Sequence, residues 1–280
     1  MTDQAEQLRR LVEQAHVQQH AGSPAEQIVV VAGAQSGVGT TTLASNVAIA
    51  IARFNTPCVL ADMNFVRPQV AAVCRVRPRY PLTDLLQSRR QVREILQPGP
   101  CGVQILPGQD ALVRNHQSAK LVATRIVETL QPLAESNVII VDAGAGYSVG
   151  LQQLASVANQ IVFVTNEDTS TIMDCYGLIK RICSEGTKSQ LSSFVNFAAR
   201  QETARDIHTR LAVSCDRFLN LHLESAGTVP DDRRIHDANC VGRPFIVYAP
   251  QSEATNQINI LANRFARQPS HVRSRNLAAA

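Results

Sequence analysis

No long hydrophobic run and no targeting segment stand out in this 280-residue sequence. The longest apolar run, residues 28–34, is far shorter than the roughly 20 apolar residues that a helix needs to cross a bilayer. The N-terminus is polar and lacks the apolar core of a signal peptide. These absences exclude a membrane-spanning or secreted class of protein and predict a cytoplasmic one.

Cysteine occurs seven times, but no two cysteines stand at the Cys-x-x-Cys spacing of zinc sites and redox motifs. The odd count and the spacing indicate small buried hydrophobic side chains in a reducing compartment. The seven histidines are scattered and form no cluster with cysteines or carboxylates that would indicate a metabolic enzyme. We therefore expect no zinc site.

Charge is also scarce, since charged residues make up 18% of the chain and hydrophobic residues 45%. This balance excludes a disordered chain and is typical of a folded protein with one large α/β domain or two small ones. Much of the net charge of +4 comes from arginine clusters at residues 75–79, 89–90 and 264–275. We interpret them as solvated surface; the alternative is a basic tail that contacts an acidic membrane or partner.

What the sequence does contain, from residue 27 onward, is an alternation of short apolar runs and helical patterns. Strands are predicted at residues 28–32, 58–61, 103–106, 138–141, 161–164, 194–195 and 245–247. Helices are predicted between most of them, for example at residues 41–53, 119–133 and 171–182. Continuous apolar strands separated by helices predict an α/β domain over residues 27–268, with a mostly parallel central sheet flanked by helices on both faces.

The first 20 residues predict a separate amphipathic helix ahead of this domain. Asp3 can cap its N-terminus, and Glu6 stands three residues later, as in a capping box. A narrow apolar stripe at helical spacing comprises Ala5, Leu8, Val12 and Ala15. Residues 21–26 contain glycine, serine and proline and indicate a linker. A short tethered helix suits docking into a groove of a partner protein, and packing against its own domain is the alternative.

A glycine-rich loop, residues 33–42, follows the first predicted strand and leads into an alanine-rich helix. This order is the context of a phosphate-binding P-loop, in which backbone N–H groups and the helix N-terminus surround phosphate. The motif has the form Gly, four residues, Gly, Lys, then Ser or Thr. Here Ala34 stands at the first glycine and Thr40 at the lysine. The candidate nucleotide-binding residues in the loop are Ser36, Gly37, Val38, Gly39, Thr40, Thr41 and Thr42.

This loop resembles that of the MinD/ParA-like ATPases, which carry a second lysine early in the loop that reaches the nucleotide of the partner subunit. The matching position is Gln35, so both family lysines are absent. The family's Asp-x-Asp after the second strand begins at Asp62, but its second carboxylate, which polarises the attacking water, is replaced by Asn64. The aspartate that ends the next long strand is kept as Asp142. The resemblance implies that Thr41, Asp62 and Asp142 hold any Mg²⁺ and that no catalytic base remains.

Two cations and one anion are thus missing from the predicted site. Phosphoryl transfer depends on electrostatic positioning, and one such group commonly contributes about two to three orders of magnitude in rate. We therefore expect little or no ATP hydrolysis. Backbone N–H groups and hydroxyls remain, so the expected ligand is weakly bound ATP or ADP with Mg²⁺, or no nucleotide. Without a lysine at position 35 to bridge two subunits, we expect a monomer.

Motifs at both ends of the chain narrow this resemblance. Near the N-terminus stand Asp3, Gln4, Ala5, Leu8 and Arg9. Residues 142–146 read Asp-Ala-Gly-Ala-Gly, and residues 172–176 read Ile-Met-Asp-Cys-Tyr. These segments resemble the Asp-Gln-Ala-x-x-Leu-Arg, Asp-x-Gly-Ala-Gly and Ile-Met-Asp-x-Tyr elements of the FlhG (also FleN or YlxH) flagellar number regulators. Asn196 matches that family's asparagine beside the adenine, Phe197 stands at its following arginine, and residues 226–232 resemble its late strand and loop near the base.

In that family the N-terminal helix docks on FlhF, a GTPase of the signal-recognition type, and stimulates its GTP hydrolysis. The resemblance therefore implies a regulator of flagellar placement or number that acts through partners. The implied partner-binding residues are Asp3, Gln4, Ala5, Leu8, Arg9 and Val12. Flagellar switch proteins of the C-ring or a flagellar transcription activator are the further partners that it implies.

The basic tail, residues 269–280, is poor in large apolar side chains. We expect weak peripheral membrane contact at most, no direct contact with nucleic acid, and a location in the cytoplasm, at the cell pole or at the membrane periphery. Two other functions stay open at this point. One is an active MinD/ParA-type ATPase for spatial positioning that uses hydroxyls in place of lysines, and the other is a ParA-type partition protein.

Overall fold

The computed structural model describes residues 27–110 and 116–267, which form an eight-stranded sheet. Its strands, in chain order, are β1 Gln27–Gly33, β2 Cys58–Asp62, β3 Gln97–Pro98, β4 Gln104–Leu106, β5 Val138–Ala145, β6 Gln160–Thr165, β7 Gln190–Ala198 and β8 Leu223–Pro230. They lie side by side in the order β3-β4-β2-β5-β1-β6-β7-β8, and neighbouring strands are parallel except for β3 with β4. The predicted N-terminal helix, linker and basic tail, residues 1–20, 21–26 and 269–280, lie outside the described residues.

Helices cover this sheet. In the described part of the chain they are α1 Thr40–Arg53, α2 Val70–Val73, α3 Leu82–Leu86, α4 Val92–Ile95, α5 His116–Ala134, α6 Val149–Ala155, α7 Thr169–Ser184, α8 Gln201–Leu219, α9 Arg233–Cys240, α10 Phe245–Tyr248 and α11 Glu253–Arg267. A short 3-10 helix spans Pro100–Gly102. Over the ranges 27–110 and 116–267, no helix combines the length and apolar character that a bilayer span requires.

The core lies in two layers, one on each face of the sheet. In β1, Val30 packs with buried residues of α5, α6, α7 and α8, whereas Val29 and Val31 pack with buried residues of α1 and α11. Every residue of β1 is buried. Because both faces are covered, the central strands are continuous apolar runs, as is usual in parallel sheets. The predicted mostly parallel sheet with helices on both faces is confirmed.

The strand predicted at residues 245–247 is wrong. These residues belong to α10, a single helical turn that begins directly after Pro244. The Ile246 N–H donates a hydrogen bond to Asn46 Oδ1 of α1 at 2.9 Å, so this turn is docked on a helix and not on a strand. A run of three apolar residues fits a buried helical turn as well as a strand, because periodicity does not separate the two at that length. The sheet instead ends at β8, which contains most of the late strand and loop predicted at residues 226–232.

The predicted burial of the cysteines is only partly correct. All seven are free thiols. Four are buried, namely Cys58, Cys74, Cys175 and Cys215, and Cys183 is half-buried. The interpretation is wrong for Cys101 and Cys240, which are exposed because they lie in short helical segments at the surface.

Candidate nucleotide-binding site

The predicted phosphate loop lies at the carboxyl ends of β1, β2 and β5, where open α/β sheets place their ligand crevices. A cleft of about 350 Å³ opens at this point. Six of the predicted nucleotide-binding residues line it: Ser36, Gly37, Gly39, Thr40, Thr41 and Thr42. Val38 is buried beneath the loop, and Asn196 stands behind it.

The glycines of the loop are required by its backbone. Gly37 and Gly39 have φ angles of +88° and +91°, in the left-handed region that other residues rarely adopt. Gly39 also occupies the N-cap position of α1, where no side chain caps the helix and no acidic residue stands in the first turn. The first N–H groups of α1 are therefore left to an anionic ligand, whose charge the helix dipole would also favour.

Thr40, at the lysine position of the motif, does not extend across the cleft as a lysine would. Its side chain is buried and packs back against the end of β1. A Cβ at Gly33 would lie 2.2 Å from Thr40 Oγ1, which shows how closely the loop folds on this strand. The short hydroxyl side chain therefore supplies packing and one polar group, but no positive charge.

Two buried carboxyl groups form the base of the site. Asp62 and Asp142 are direct neighbours on the paired strands β2 and β5. The Thr41 hydroxyl donates a hydrogen bond to Asp142 Oδ2 at 2.6 Å, and the Gly144 N–H donates to Asp142 Oδ1 at 3.0 Å. The predicted metal-binding residues are thus brought together by the sheet and the start of α1.

The electrostatics of this pair favour a cation. Burial and then the charge of Asp142 raise the pKa of Asp62 to about 7, against the backbone N–H groups that bond it. Burial also raises the pKa of Asp142, against its hydrogen bond from Thr41. Two buried carboxylates side by side repel each other, and a bound cation would offset that charge. One hydroxyl and two carboxyl groups are the oxygen donors that Mg²⁺ prefers, so these residues fit that ion.

Asn64, at the position of the family's second aspartate, lines the cleft but is fixed in a structural role. Its Oδ1 accepts a hydrogen bond from the Arg67 N–H at 3.2 Å. Its side chain also fills the space beside Gly144, where a Cβ would lie 2.5 Å from Asn64 Cγ. Since an amide does not accept a proton as a carboxylate does, this residue offers no general base.

Gln35, at the position of the second family lysine, is bonded within its own chain. Its Nε2 donates to Asp174 Oδ2 at 2.6 Å, and its Oε1 accepts from the Thr171 hydroxyl at 3.3 Å. Both partners lie in α7, so the loop is tied to that helix. The sequence resemblance marked Asp174 as part of a family motif, but gave no sign of this contact across 139 positions.

The side chains on the expected adenine side contact the phosphate loop and a neighbouring helix. Asn196 Nδ2 donates to the Val38 carbonyl at 2.8 Å and stands 2.1 Å from where a Cβ on Gly39 would be. Asn196 therefore braces the phosphate loop from behind, and its contact with a base stays a prediction. Phe197 does line the cleft, and its ring stacks with that of His236 at a centroid distance of 6.2 Å.

One functional candidate, Arg67, was missed by the sequence reasoning. It follows β2 in the loop that begins at Asp62, and it lines the same cleft as the phosphate loop. Among the described residues that line this cleft, Arg67 is the one with a charged side chain. No spacing rule marks an arginine five positions after an aspartate, so only the folded loop reveals it. Among residues 27–110 and 116–267, no group of three or more His, Cys, Asp or Glu forms a separate metal site.

Comparison with known proteins places these features in context. No family model matches the chain. It is 24% identical over 239 residues to the antiactivator FleN of Pseudomonas aeruginosa, with 85% of each chain covered. It is 22% identical over 207 residues to the flagellum site-determining protein YlxH of Helicobacter pylori, with 72% of this chain and 69% of YlxH covered.

Solved structures show the same fold. The septum site-determining protein MinD of Pyrococcus horikoshii, complexed with Mg-ADP, superposes with a TM-score of 0.69 at 17% identity over 86% of this chain and 96% of that one. A ParA family ATPase of Chlorobium tepidum superposes with a TM-score of 0.69 at 15% identity, over 85% of this chain and 98% of that one. The predicted resemblance is thereby confirmed: the chain has the MinD/ParA-type P-loop fold and is similar in sequence to the antiactivator FleN and the flagellum site-determining protein YlxH.

Proposed function

We propose that this chain regulates the placement or number of flagella by binding protein partners, with little or no ATP hydrolysis of its own. The observation that carries the proposal is a folded phosphate loop whose two lysine positions are Thr40 and Gln35, in a chain similar to FleN and YlxH. YlxH is named as a flagellum site-determining protein, and FleN is named as an antiactivator.

The geometry of the cleft supports weak nucleotide binding. The N–H groups at the start of α1 and the hydroxyls of Thr41 and Thr42 face a cleft wide enough for phosphate groups. Thr41, Asp62 and Asp142 would hold Mg²⁺, which would offset phosphate charge when bound. ATP or ADP is the proposed ligand, since the relatives of the same fold include MinD complexed with Mg-ADP.

The same geometry argues against efficient hydrolysis. Thr40 is buried against Gly33 and carries no charge, while Gln35 is bonded to α7. Asn64 supplies no base to activate water. Because removal of one charge-stabilising group commonly lowers the rate by about two to three orders of magnitude, the loss of three leaves little hydrolysis.

Partner binding is proposed to reside in the N-terminal helix, residues 1–20, which lies outside the described residues. There Leu8 and Val12 would enter a groove on an FlhF-like GTPase, and Gln4 would make polar contacts near its nucleotide. Flagellar switch proteins or a flagellar transcription activator are proposed as further partners. The P-loop domain, residues 27–268, would act as the carrier of this helix.

The test is a GTPase assay of the FlhF-like protein with the full chain, with a chain that lacks residues 1–20, and with two glutamine variants. Gln4→Ala should reduce stimulation, whereas the control Gln7→Ala, at a variable position of the Asp-Gln-Ala-x-x-Leu-Arg element, should not. A further variant, Leu8→Asp, should abolish stimulation in the same assay, because a charge on the apolar stripe prevents docking in the groove. Equal GTPase rates with the full and the shortened chain would refute the partner-activating role.

A second function, an active ATPase for spatial positioning, is favoured by one observation. The hydroxyl of Thr41 and the paired carboxyl groups of Asp62 and Asp142 are all in place. A phosphate-release assay separates the two functions, since an active ATPase would turn over ATP and would lose that turnover in the Thr41→Ala variant.

A further inference from the structure

We propose that Arg67 is the cation that receives the phosphate groups of a bound nucleotide, in place of the lysine that the phosphate loop lacks. This inference rests on the proposed binding of nucleotide in the cleft and adds to it a residue from outside the loop. The ligand class is a chain of two or more phosphates, as in ADP, ATP or pyrophosphate.

The position of Arg67 is the first observation. It lines the same cleft as Ser36, Gly37 and Thr41 but comes from the segment after β2, so a second segment of the chain contributes to this cleft. Among the described cleft-lining residues it carries the positive charge, and the negative charges, Asp62 and Asp142, lie buried at the base. For a phosphate chain bound along the loop, Arg67 is therefore the cationic side chain within this cleft.

The guanidinium group of Arg67 is also uncommitted. Within the described part of the chain it makes no ion pair or hydrogen bond, in contrast to Arg90, Arg125 and Arg234, each of which pairs with a carboxylate. Arg67 could consequently bind a phosphate without first breaking an ion pair within the protein. A guanidinium presents paired N–H donors that match two phosphate oxygens, whereas the hydroxyl of Thr40 offers one.

The loop that carries Arg67 is held firmly at both ends. Asp62 Oδ1 accepts from the Asn64 N–H at 3.1 Å, and Asp62 Oδ2 accepts from the Val70 N–H at 3.0 Å. Within these two bonds, Asn64 Oδ1 accepts from the Arg67 N–H at 3.2 Å. The backbone of Arg67 is therefore fixed relative to the carboxyl group expected to hold Mg²⁺. A fixed backbone lowers the entropy lost when the side chain engages a ligand.

Tight packing braces the same loop from below. A Cβ at Gly108 would lie 2.7 Å from Pro68 Cβ and 2.9 Å from Asp62 Cγ, so glycine is required for the loop to lie this close. Phe65, in the same segment, is partly buried and packs against the hydrophobic core. An exposed arginine on a mobile loop would be ordinary solvated surface, but this arginine stands on a braced loop beside an unpaired helix N-terminus.

Calorimetric titration of the full chain with pyrophosphate, ADP and ATP tests the inference. The variants are Arg67→Gln, Arg67→Lys and the control Arg205→Gln, an exposed arginine of α8 that is not among the cleft-lining residues. Arg67→Gln should weaken all three ligands by about ten- to a hundredfold, because a charge-assisted hydrogen bond is lost. Arg67→Lys should fall between, since it keeps the charge without the paired donors, and Arg205→Gln should bind as the wild type does.

The outcomes separate this inference from the proposed function. Equal affinity of the wild type and Arg67→Gln for pyrophosphate and ADP would overturn the role of Arg67 and leave the nucleotide site in place. A loss for ADP but not for pyrophosphate would also overturn it, since the arginine would then act on the nucleoside. If the wild type binds none of the three ligands, both the inference and the nucleotide site fail, whereas the GTPase assay judges partner binding independently.

Discussion

Replacement of Gly39 by alanine tests the contact between the phosphate loop and Asn196. Gly39 has a φ of +91°, and a side chain in this left-handed conformation costs about 1–2 kcal/mol. A Cβ there would also lie 2.1 Å from Asn196 Nδ2, and such overpacking costs about 1–3 kcal/mol. We therefore expect Gly39→Ala to lower the free energy of unfolding by about 2–5 kcal/mol.

The assay is urea unfolding followed by circular dichroism, with Gly177→Ala as the matched control. Gly177 lies within α7, and a Cβ at that position meets nothing within 4 Å. Its replacement should raise the free energy of unfolding by about 0.5–1 kcal/mol, because alanine loses less entropy in a helix than glycine. The two glycine-to-alanine changes should thus shift the urea midpoint in opposite directions.

A second substitution separates the clash from the backbone strain. In the Gly39→Ala background, Asn196→Ala removes the side chain that the new Cβ would strike, although it also removes the hydrogen bond to the Val38 carbonyl. That bond contributes about 1 kcal/mol, so the double variant should regain part of the lost stability and no more. A Gly39→Ala protein that unfolds at the wild-type midpoint would refute the reasoning, as would a double variant less stable than Gly39→Ala alone.

Three other outcomes follow from the site and the core. ATP hydrolysis measured by phosphate release should stay at background, and turnover that the Thr41→Ala variant abolishes would contradict this prediction. Thr40→Lys should strengthen nucleotide binding measured by calorimetry, because an ammonium group offsets the negative charge of the phosphates. Light scattering should give the same mass with and without ATP, since no lysine is present at position 35 to bridge two subunits, and an ATP-dependent increase would overturn that expectation. Burial, and then the charge of His222, lower the pKa of His208, whose Nδ1 lies 2.8 Å from Ser193 Oγ, so the folded protein resists protonation there. The free energy of unfolding should therefore fall as the pH drops from about 7.5 to about 5.5, and it should fall less in the His208→Gln variant. If the wild type and His208→Gln show the same pH dependence of unfolding, His208 is not its cause.

Most of the architecture could be predicted from the sequence, because the apolar runs, the helical patterns and the glycine-rich loop all indicated the same α/β fold. Continuous apolar runs such as 28–32 and 138–141 are required wherever a strand is covered on both faces, and they predicted the central sheet. The loop was recognised through its setting between a strand and an alanine-rich helix, although a literal motif search fails at Ala34 and Thr40. The short run at 245–247 misled the prediction because it is equally compatible with a buried helical turn.

The side-chain contacts of the site could not be predicted in the same way, because they join residues that are far apart in the sequence. Gln35 bonds Asp174 and Thr171, and Asn196 braces the loop at Val38 from 158 positions away. Such contacts are set by how α7 and β7 dock on the sheet, and no local pattern encodes them. Arg67 was missed for the same reason, since its place in the cleft depends on the fold of the whole segment from Asp62 to Val70.

The distribution of charge supports the proposal that this loop binds nucleotide weakly and does not act as an ATPase. The hydrogen bonds of Gln35 to α7 are near the surface and contribute about 1 kcal/mol each, so they do not by themselves prevent rearrangement. What differs from a lysine-bearing loop is that neither Gln35 nor Thr40 brings a positive charge to the phosphates. A single cation from Arg67 would offset part of that deficit and so favour binding. It would not restore hydrolysis, because Asn64 still leaves the attacking water without a base.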